Sequence, residues 1–484
     1  MVFSSQLFLF WFLPAALAFY YLAPRRLKHL TLTLFSYVFY GWANPSFSVL
    51  LLISTLIDWI AGLVMAGTTP WSRAPLEALP KGVRRNRRER FALLLSVSSN
   101  LSLLGFFKYF NFAVDSWNGI ATAIGVDVAS LDIALRVTLP LGISFYTFQS
   151  MSYAIDVYRG DAKPLRNFVD FACFVSMFPQ LVAGPIIRFS EVADQLANRT
   201  HTLAKFARGV AFFSVGMAKK VLLANPCGQI ADTVFDAGAP TVLQAWHGVV
   251  GYAFQIYFDF SGYSDMAIGL GLMFGFVYAK NFDSPYQSQS ITEFWRRWHI
   301  SLSSWLRDYL YVPLGGNRKG VRRTYIHLGL TMLLGGLWHG ASWNFVLWGA
   351  FHGVLLAAER AVGVERLYGW MPRAARVATT FSLVLVSWVF FRAADLPAAL
   401  AYLGRMFGLG AAGEGAPLLS GLLASPYLAL SFVIAAAVVW GAEQSWTWTR
   451  ELTPLKIALA LALLVTAIAA LSTQDYNPFI YYIF

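Results

Sequence analysis

Long apolar stretches recur along the whole chain, and this feature constrains the fold more than any other. A helix needs about 20 consecutive apolar residues to cross the hydrocarbon core of a bilayer. Stretches of that kind lie at residues 2–22, 47–66, 91–107, 137–157, 422–440 and 455–471. They do not alternate between apolar and polar residues, as the strands of a membrane barrel would. The sequence therefore predicts an all-α fold, a polytopic bundle of transmembrane helices.

The composition agrees with a chain that faces lipid. Hydrophobic residues make up 57% of the 484 residues and charged residues 13%, whereas soluble domains average about 45–50% and about 25%. The two cysteines, Cys173 and Cys227, form no CxxC pair. They predict neither a disulfide framework nor a metal site, and we interpret them as buried apolar thiols.

The formal net charge of +12 has two explanations, nucleic-acid binding or the excess of Lys and Arg in the cytoplasmic loops of membrane proteins. The densest basic segment, residues 67–90, joins two predicted spans and has no interleaved aromatic residues. We interpret it as a cytoplasmic loop that contacts anionic lipids, and not as a nucleic-acid site. Its basic residues are Arg73, Lys81, Arg84, Arg85, Arg87, Arg88 and Arg90.

Basic residues also indicate the direction in which the predicted helices cross. The first apolar stretch is followed by the basic residues Arg25, Arg26 and Lys28, which places that end in the cytoplasm and Met1 outside. The same reasoning along the chain gives about 11–13 spans with both termini outside. We expect loops outside the membrane at residues 111–132 and 224–244, the second of which carries no Lys or Arg.

One apolar stretch, residues 168–187, contains Pro179 and the pair Gly184-Pro185, and basic residues flank both of its ends. We interpret it as a re-entrant segment, because broken backbone is tolerated at membrane depth only where protein or water surrounds it. The whole chain is predicted to be a single integral-membrane domain. Its parts are N-terminal helices at 1–110, a core at 137–360 and C-terminal helices at 374–484.

His339 stands out among the seven histidines because glycines flank it in the motif GGLWHGASW at residues 335–343. Glycine lets another backbone or a ligand approach closely, and two predicted helices meet here. His339 lies roughly 20–25 Å along its helix from the cytoplasmic Arg323. An ionisable group at that depth suggests function, and imidazole suits proton transfer near neutrality. A buried histidine that only bonds a backbone carbonyl is the alternative.

Residues 291–313 have a helical period and predict one amphipathic helix. His299 lies at the edge of its apolar face, while Arg296 and Arg297 lie off that face. By itself the pattern favours an interfacial anchor with an incidental histidine over a helix that dips into a cavity. The apolar face consists of Trp295, Trp298, Leu302, Trp305 and Tyr309.

Polar residues inside apolar stretches are the remaining candidates. Asp259 and Asp265 lie in residues 255–265, a run rich in hydroxyl side chains. Carboxylates in a span face the bundle interior or a partner, so these are either structural hydrogen-bonding groups or part of a polar tunnel. The candidates for lining such a tunnel are Asp259, Tyr263 and Trp338. His29 and His201 lie in basic surroundings, and we expect them to be solvated.

At these motifs the sequence resembles the membrane-bound O-acyltransferase family, and within it the alginate O-acetylase subfamily. The resemblance runs essentially from end to end. It rests on residues 1–5, 36–40, 139–149, 257–269, 294–302, 305–315, 337–343 and 477–479. It implies that His339, in its Trp-His-Gly setting, is the family's near-universal histidine. It also implies that His299 is the second characteristic position and that both are catalytic.

The resemblance further implies a multi-pass protein of the bacterial inner membrane that moves an acetyl group from a cytosolic donor, acetyl-CoA, to an outer polysaccharide such as alginate. Periplasmic acetyltransferase or acetyl-relay proteins are the implied partners, and no permanently bound cofactor or metal is expected. Relatives acetylate cellulose or peptidoglycan, or transfer D-alanine. Arg296 and Arg297 would attract the CoA phosphates, although the excess of basic residues on the cytoplasmic side explains them as well.

The expected mechanism is general base catalysis by neutral His339, which contributes typically about 10²–10⁴-fold. His299 would orient the donor or stabilise the developing oxyanion. Two other classes stay open. A transporter of an activated group would carry inverted repeats with paired broken helices, which the sequence does not show, and a scaffold would recruit a soluble acetyltransferase.

Overall fold

The computed structural model describes residues 1–125, 136–182 and 184–480. Over these residues every regular element is a helix, which confirms the predicted all-α class. Contacts divide the chain into two compact units. One holds Met1 and Gln6–Thr200, and the other holds Val2–Ser5 together with the chain from His201 onward. The single-domain organisation stays a prediction.

The first unit is a set of helices joined mostly by short connections. A π-helical turn, Phe8–Phe12, leads into the first of them. In chain order they are α1 (Leu13–Leu22), α2 (Lys28–Gly41), α3 (Pro45–Ala66), α4 (Arg87–Ala123), α5 (Ile143–Arg159), α6 (Phe168–Ser176), α7 (Phe178–Leu181) and α8 (Phe189–Ala197). The predicted broken segment at residues 168–187 is indeed interrupted, since α6 and α7 are separated at Met177.

Helix α4 is longer than the sequence indicated. It begins with a capping box, in which Asn86 Oδ1 accepts the Glu89 N–H at 2.8 Å and the Glu89 carboxylate accepts the Asn86 N–H at 3.0 Å. It then continues for 37 residues to Ala123, so the loop predicted to start at residue 111 is wrong up to that point. Apart from residues 124 and 125, the rest of that loop lies outside the described residues.

The second unit carries the predicted core. In chain order its helices are α9 (Leu203–Ala218), α10 (Asn225–Phe235), α11 (Val242–Met273), α12 (Ile291–Arg297), α13 (Ile300–Leu306), α14 (Val312–Leu314), α15 (Val321–His339), α16 (Trp343–Val362), α17 (Val364–Tyr368), α18 (Arg373–Arg392), α19 (Leu396–Met406), α20 (Ala416–Leu423), α21 (Pro426–Gly441), α22 (Ser445–Trp448) and α23 (Pro454–Thr473). Helix α11 is buried along most of its length.

The predicted outer loop at residues 224–244 is wrong in its first half. A π-helical turn, Lys219–Ala224, joins α9 directly to α10, and the helix runs on to Phe235. Pro226 does not stop this helix, because proline is tolerated where a helix needs no N–H from it. The π turn, in which hydrogen bonds join residues five positions apart instead of four, ends at Ala224, just before the pair Asn225-Pro226.

Among the residues that the structure describes, five helices are long and apolar enough to cross a membrane, namely α3, α4, α16, α18 and α23. Within the described ranges, the pair α20 and α21, bent by 67°, makes a sixth if it counts as one span. Large apolar side chains on α23 remain exposed, such as Leu455 and Val465, as expected for a surface that faces lipid. The total of about 11–13 spans stays a prediction.

Candidate active site

The junction of α15 and α16 positions His339, the last residue of α15. The two helices pack so closely that only glycine fits at their crossing. A Cβ atom on Gly336 would lie 2.2 Å from the Phe345 carbonyl oxygen, and one on Gly349 would lie 2.5 Å from the Met332 carbonyl oxygen. The interpretation of the flanking glycine as a site of close backbone approach is confirmed at Gly336.

Aromatic rings surround His339, which is 8% exposed. Its ring centroid lies 5.0 Å from that of Trp338, 5.2 Å from that of Trp348 and 5.3 Å from that of Phe391. The centroid of His299 lies 6.5 Å away. The fold thus brings together the two histidines that the sequence analysis selected, although 40 positions separate them.

The single helix predicted over residues 291–313 is wrong, because the chain breaks at His299. Helix α12 ends at Arg297 and α13 begins at Ile300, and His299 has φ 42° and ψ 56°. This left-handed conformation is costly for a non-glycine residue, about 1–3 kcal/mol, and such strain concentrates at functional sites. The break allows the consecutive side chains of Trp298 and His299 both to be buried, whereas a continuous helix would turn them about 100° apart.

Asn281 holds His299 at this break. Its Oδ1 atom lies 3.2 Å from His299 Nδ1, 3.2 Å from the Ser301 backbone nitrogen and 2.9 Å from Ser301 Oγ. Its backbone carbonyl accepts the Ile300 N–H at 2.9 Å. His299 Nε2 is buried and has no hydrogen-bond partner within the described part of the chain.

His339 borders two cavities of different character, and Trp348 lines both. The first has a volume of about 130 Å³ and is mostly apolar, with walls that include Leu302, Leu306, Met332 and Leu356. The second is smaller and mostly aromatic, with walls that include Phe260, Trp298, Trp388 and Phe391, together with Ile480. A cavity of about 150 Å³ is large enough for benzene. The first cavity therefore suits a group no larger than a short acyl chain.

The two arginines proposed to attract CoA phosphates differ in their contacts. Arg297 forms an ion pair with Glu293 at 2.7 Å and donates to the Asp283 carbonyl at 3.1 Å. Arg296 is exposed. Of the two, Arg296 has the guanidinium group that solvent reaches more easily.

The tunnel candidates occupy two kinds of place. Trp338 packs against His339, and its ring centroid lies 6.0 Å from that of His299. Tyr263 forms a hydrogen bond with Ser4 at 2.9 Å. Asp259 pairs with Lys220 at 2.6 Å and accepts the Ile480 N–H at 3.1 Å. Asp259 and Tyr263 therefore hold terminal segments of the chain against α11.

Of the two histidines expected to be solvated, only His201 is exposed. His29 is half-buried, and its Nδ1 lies 2.5 Å from Asp170 Oδ1 while Arg199 contacts its other nitrogen. The expectation for His29 was wrong because the basic residues near it in sequence did not reveal the carboxylate from α6.

Sequence reasoning missed Asn281 and the lysine pair Lys219-Lys220. No local motif marks Asn281, which reaches His299 only through the tertiary fold. The lysines were recognisable, since charged residues inside an apolar helix pair with opposite charges. Lys219 pairs with Asp265 at 2.7 Å, just as Lys220 pairs with Asp259.

Comparisons with known proteins show relatives along the whole chain. The model of the membrane-bound O-acyltransferase family matches residues 162–391, a range that contains both histidines. A probable alginate O-acetylase of Pseudomonas putida is 48% identical over 508 aligned residues, which cover 100% of each chain. One of Pseudomonas aeruginosa is 50% identical over 85% of this chain and 75% of its own.

A peptidoglycan O-acetyltransferase of Helicobacter pylori is 37% identical over 84% of this chain and 80% of its own. These matches extend over far more of the sequence than the site itself, and they confirm the resemblance drawn from the motifs. The chain therefore belongs to the membrane-bound O-acyltransferase family, as a membrane-bound O-acetyltransferase.

Proposed function

We propose that this protein carries an acetyl group from cytosolic acetyl-CoA across the bacterial inner membrane to hydroxyls of an extracellular polysaccharide, of which alginate is the first candidate. The observation that carries the proposal is the pair of buried histidines, 6.5 Å apart between ring centroids, of which His339 borders two cavities. The names of the relatives from Pseudomonas putida and Pseudomonas aeruginosa support alginate as the polymer.

The reaction breaks the thioester C–S bond and forms a C–O bond. A thioester lies uphill of an ester, so the transfer requires no further energy source. Neutral His339 takes the proton from the acceptor hydroxyl as that oxygen attacks the carbonyl carbon, and the proton then passes to the departing thiolate. A well-placed general base contributes about 10²–10⁴-fold, and His299 orients the reacting groups.

The two cavities suggest where the substrates lie. The apolar cavity of about 130 Å³ suits the acetyl methyl group and the thioester. The aromatic cavity, which also borders His339, suits the approach of the acceptor hydroxyl. Arg296, which is exposed, and Arg297 to a smaller extent attract the phosphates of CoA from the cytoplasmic side.

Partner proteins complete the proposal. Periplasmic acetyltransferase or acetyl-relay proteins take the group from the membrane site to the polymer. Peptidoglycan is the second candidate polymer, because the Helicobacter pylori relative carries that name. Under either candidate the chemistry at His339 is the same.

The test is transfer of radiolabelled acetyl from acetyl-CoA by the purified protein in lipid vesicles, with alginate or peptidoglycan fragments as acceptors. His339→Ala is expected to lower the rate at least about 100-fold. The matched control is His327→Gln, since His327 lies on the same helix and bonds the Gly316 carbonyl at 3.1 Å. Wild-type transfer by a folded His339→Ala protein would contradict the proposal, and transfer by no form of the protein would favour a transporter or a scaffold.

A further inference from the structure

Asn281 is buried beside His299 and contacts its Nδ1 atom, whereas the other ring nitrogen, Nε2, has no hydrogen-bond partner among the described residues. Asn281 lies 18 residues earlier in the chain and belongs to no helix. Three groups surround its side-chain oxygen, namely His299 Nδ1, the Ser301 backbone N–H and the Ser301 hydroxyl. This arrangement fixes the position of the His299 ring and also the nitrogen that carries its hydrogen.

The contacts identify which side-chain atom of Asn281 is the oxygen. A backbone N–H can only donate, so the Asn281 atom that faces the Ser301 nitrogen must be an acceptor. The amide NH2 group could not occupy that place without setting donor against donor. The Ser301 hydroxyl, at 2.9 Å, donates to the same oxygen.

The oxygen in turn determines the tautomer of His299. A carbonyl oxygen only accepts, so a hydrogen bond with His299 Nδ1, at 3.2 Å, places the hydrogen on that nitrogen. The Ser301 hydroxyl also lies 3.4 Å from Nδ1, but it donates its hydrogen to the nearer Asn281 oxygen at 2.9 Å. In a neutral imidazole the other nitrogen then has a free lone pair. That nitrogen is Nε2, which is buried and lacks a hydrogen-bond partner among the described residues.

We propose that Asn281 is a positioning residue for acyl transfer, which holds His299 in the Nδ1–H tautomer and so presents the Nε2 lone pair to the substrate. The inference rests on the proposed acyl transfer at His339. In this tautomer His299 Nε2 accepts a hydrogen bond from a second hydroxyl of the acceptor and so orients the acceptor, while the attacking hydroxyl gives its single proton to His339. Stabilising an oxyanion would require a hydrogen-bond donor instead, so the inference excludes the oxyanion role expected for His299.

Asn281 also supports the strained backbone that carries the ring. Its backbone carbonyl accepts from Ile300 and its side chain accepts from Ser301, the two residues that follow His299. The left-handed conformation of His299 persists only where surrounding contacts determine it. A substitution at residue 281 keeps the backbone contact to Ile300 but loses the side-chain contact to Ser301, so the tautomer has to be measured directly as well as through the kinetics.

The experiment combines nitrogen NMR with steady-state kinetics on the full-length protein. Histidine is labelled with ¹⁵N, and the signals of His299 are assigned by their loss in His299→Gln. The wild type is expected to show a protonated Nδ1 and an unprotonated Nε2. Asn281→Ala is expected to shift the population towards the Nε2–H tautomer. It should lower kcat at least about tenfold, as loss of a histidine's orienting partner does at metal sites, with little change in the KM for acetyl-CoA.

Two variants serve as controls. Ser301→Ala leaves the Asn281 oxygen in place and is expected to keep the wild-type tautomer. Asn281→Asp keeps an oxygen beside Nδ1 and should restore most of kcat when it is measured where His299 is neutral. The proposal is overturned if wild-type His299 carries its hydrogen on Nε2. It is also overturned if folded Asn281→Ala keeps both the tautomer and kcat.

The tautomer is read without any substrate. A failure of the proposed acyl transfer would therefore appear as inactive wild-type protein, whereas a failure of this inference would appear in the spectrum. If Asn281→Ala does not fold, the wild-type spectrum and Asn281→Asp still decide the question.

Discussion

Charged side chains inside the second unit neutralise one another in pairs. Lys220 and Asp259 are 1% and 2% exposed and lie 2.6 Å apart. Lys219 and Asp265 form a second pair at 2.7 Å, and the Ser445 hydroxyl lies within hydrogen-bond distance of both. Ionisable residues in spanning helices are expected to pair in this way, because an isolated charge is costly there.

The Lys220–Asp259 pair yields a prediction about stability. Lys220→Met is expected to lower the free energy of unfolding by about 3–5 kcal/mol, since it leaves a buried carboxylate without its partner. Lys220 also donates to the Pro478 carbonyl, so the segment before Ile480 should loosen. The measurement is thermal unfolding in detergent.

The double variant Lys220→Met with Asp259→Leu is the control for that prediction, because it removes both charges. It is expected to be less destabilised than the sum of the single variants. Strict additivity of the two single effects would show that the pair contributes no coupling.

At the scale of elements, a carboxylate from α16 holds the start of α12. Glu359 accepts the N–H groups of Ile291 and Thr292 at 2.7 and 2.8 Å, and Tyr368 donates to it at 3.0 Å. The first N–H groups of a helix lack partners within the helix and favour negative charge. Glu359 thus fixes the helix that ends immediately before Trp298 and His299.

Glu359→Ala is expected to destabilise the protein by about 3 kcal/mol or more, since it leaves two buried N–H groups unpaired. It should also lower kcat, because α12 leads directly into the break at His299. Tyr368→Phe is the matched control, since it removes only one hydrogen bond, worth about 1 kcal/mol. Unfolding in detergent and acetyl transfer are measured on the same preparations, and equal effects of the two variants would disprove this role of Glu359.

At the scale of the whole molecule, lipid replaces water around much of the surface. Apolar side chains stay exposed on several helices, while residues 315–324, the loop before α15 and its first turn, are rich in basic residues. The basic loops are expected on the cytoplasmic side, and residues 407–415, between α19 and α20, are expected outside. The native thiols Cys173 and Cys227 are both buried, so they interfere little with labelling of introduced cysteines.

Single-cysteine labelling tests this orientation in intact cells. Ala412→Cys is expected to react with a thiol reagent that does not cross the inner membrane, and Val321→Cys is expected to react only after the membrane is opened. Both positions are exposed, so a difference between them reports the side of the membrane. The reverse pattern would overturn the predicted topology, and the wild-type protein is the control for background reaction.

The helical class, the membrane environment and the choice of His339 as a candidate all followed from the sequence. Each of these depends on properties read within about one helix length, namely an apolar stretch, a cluster of basic residues, or glycines around a histidine. The lengths of α4 and α10 were less predictable from composition, which indicated loops at residues 111–132 and 224–244. A capping box begins α4 and a π-helical turn leads directly into α10, so the chain is helical over part of both segments.

The way in which the candidate site is assembled is visible only in the folded chain. In the fold the amphipathic helix is interrupted at His299, Asn281 lies beside the ring of His299, and Asp259 pairs with Lys220. Each of these results joins residues from different parts of the chain. A periodic pattern describes one helix at a time, whereas the pairing of polar groups depends on which elements pack together.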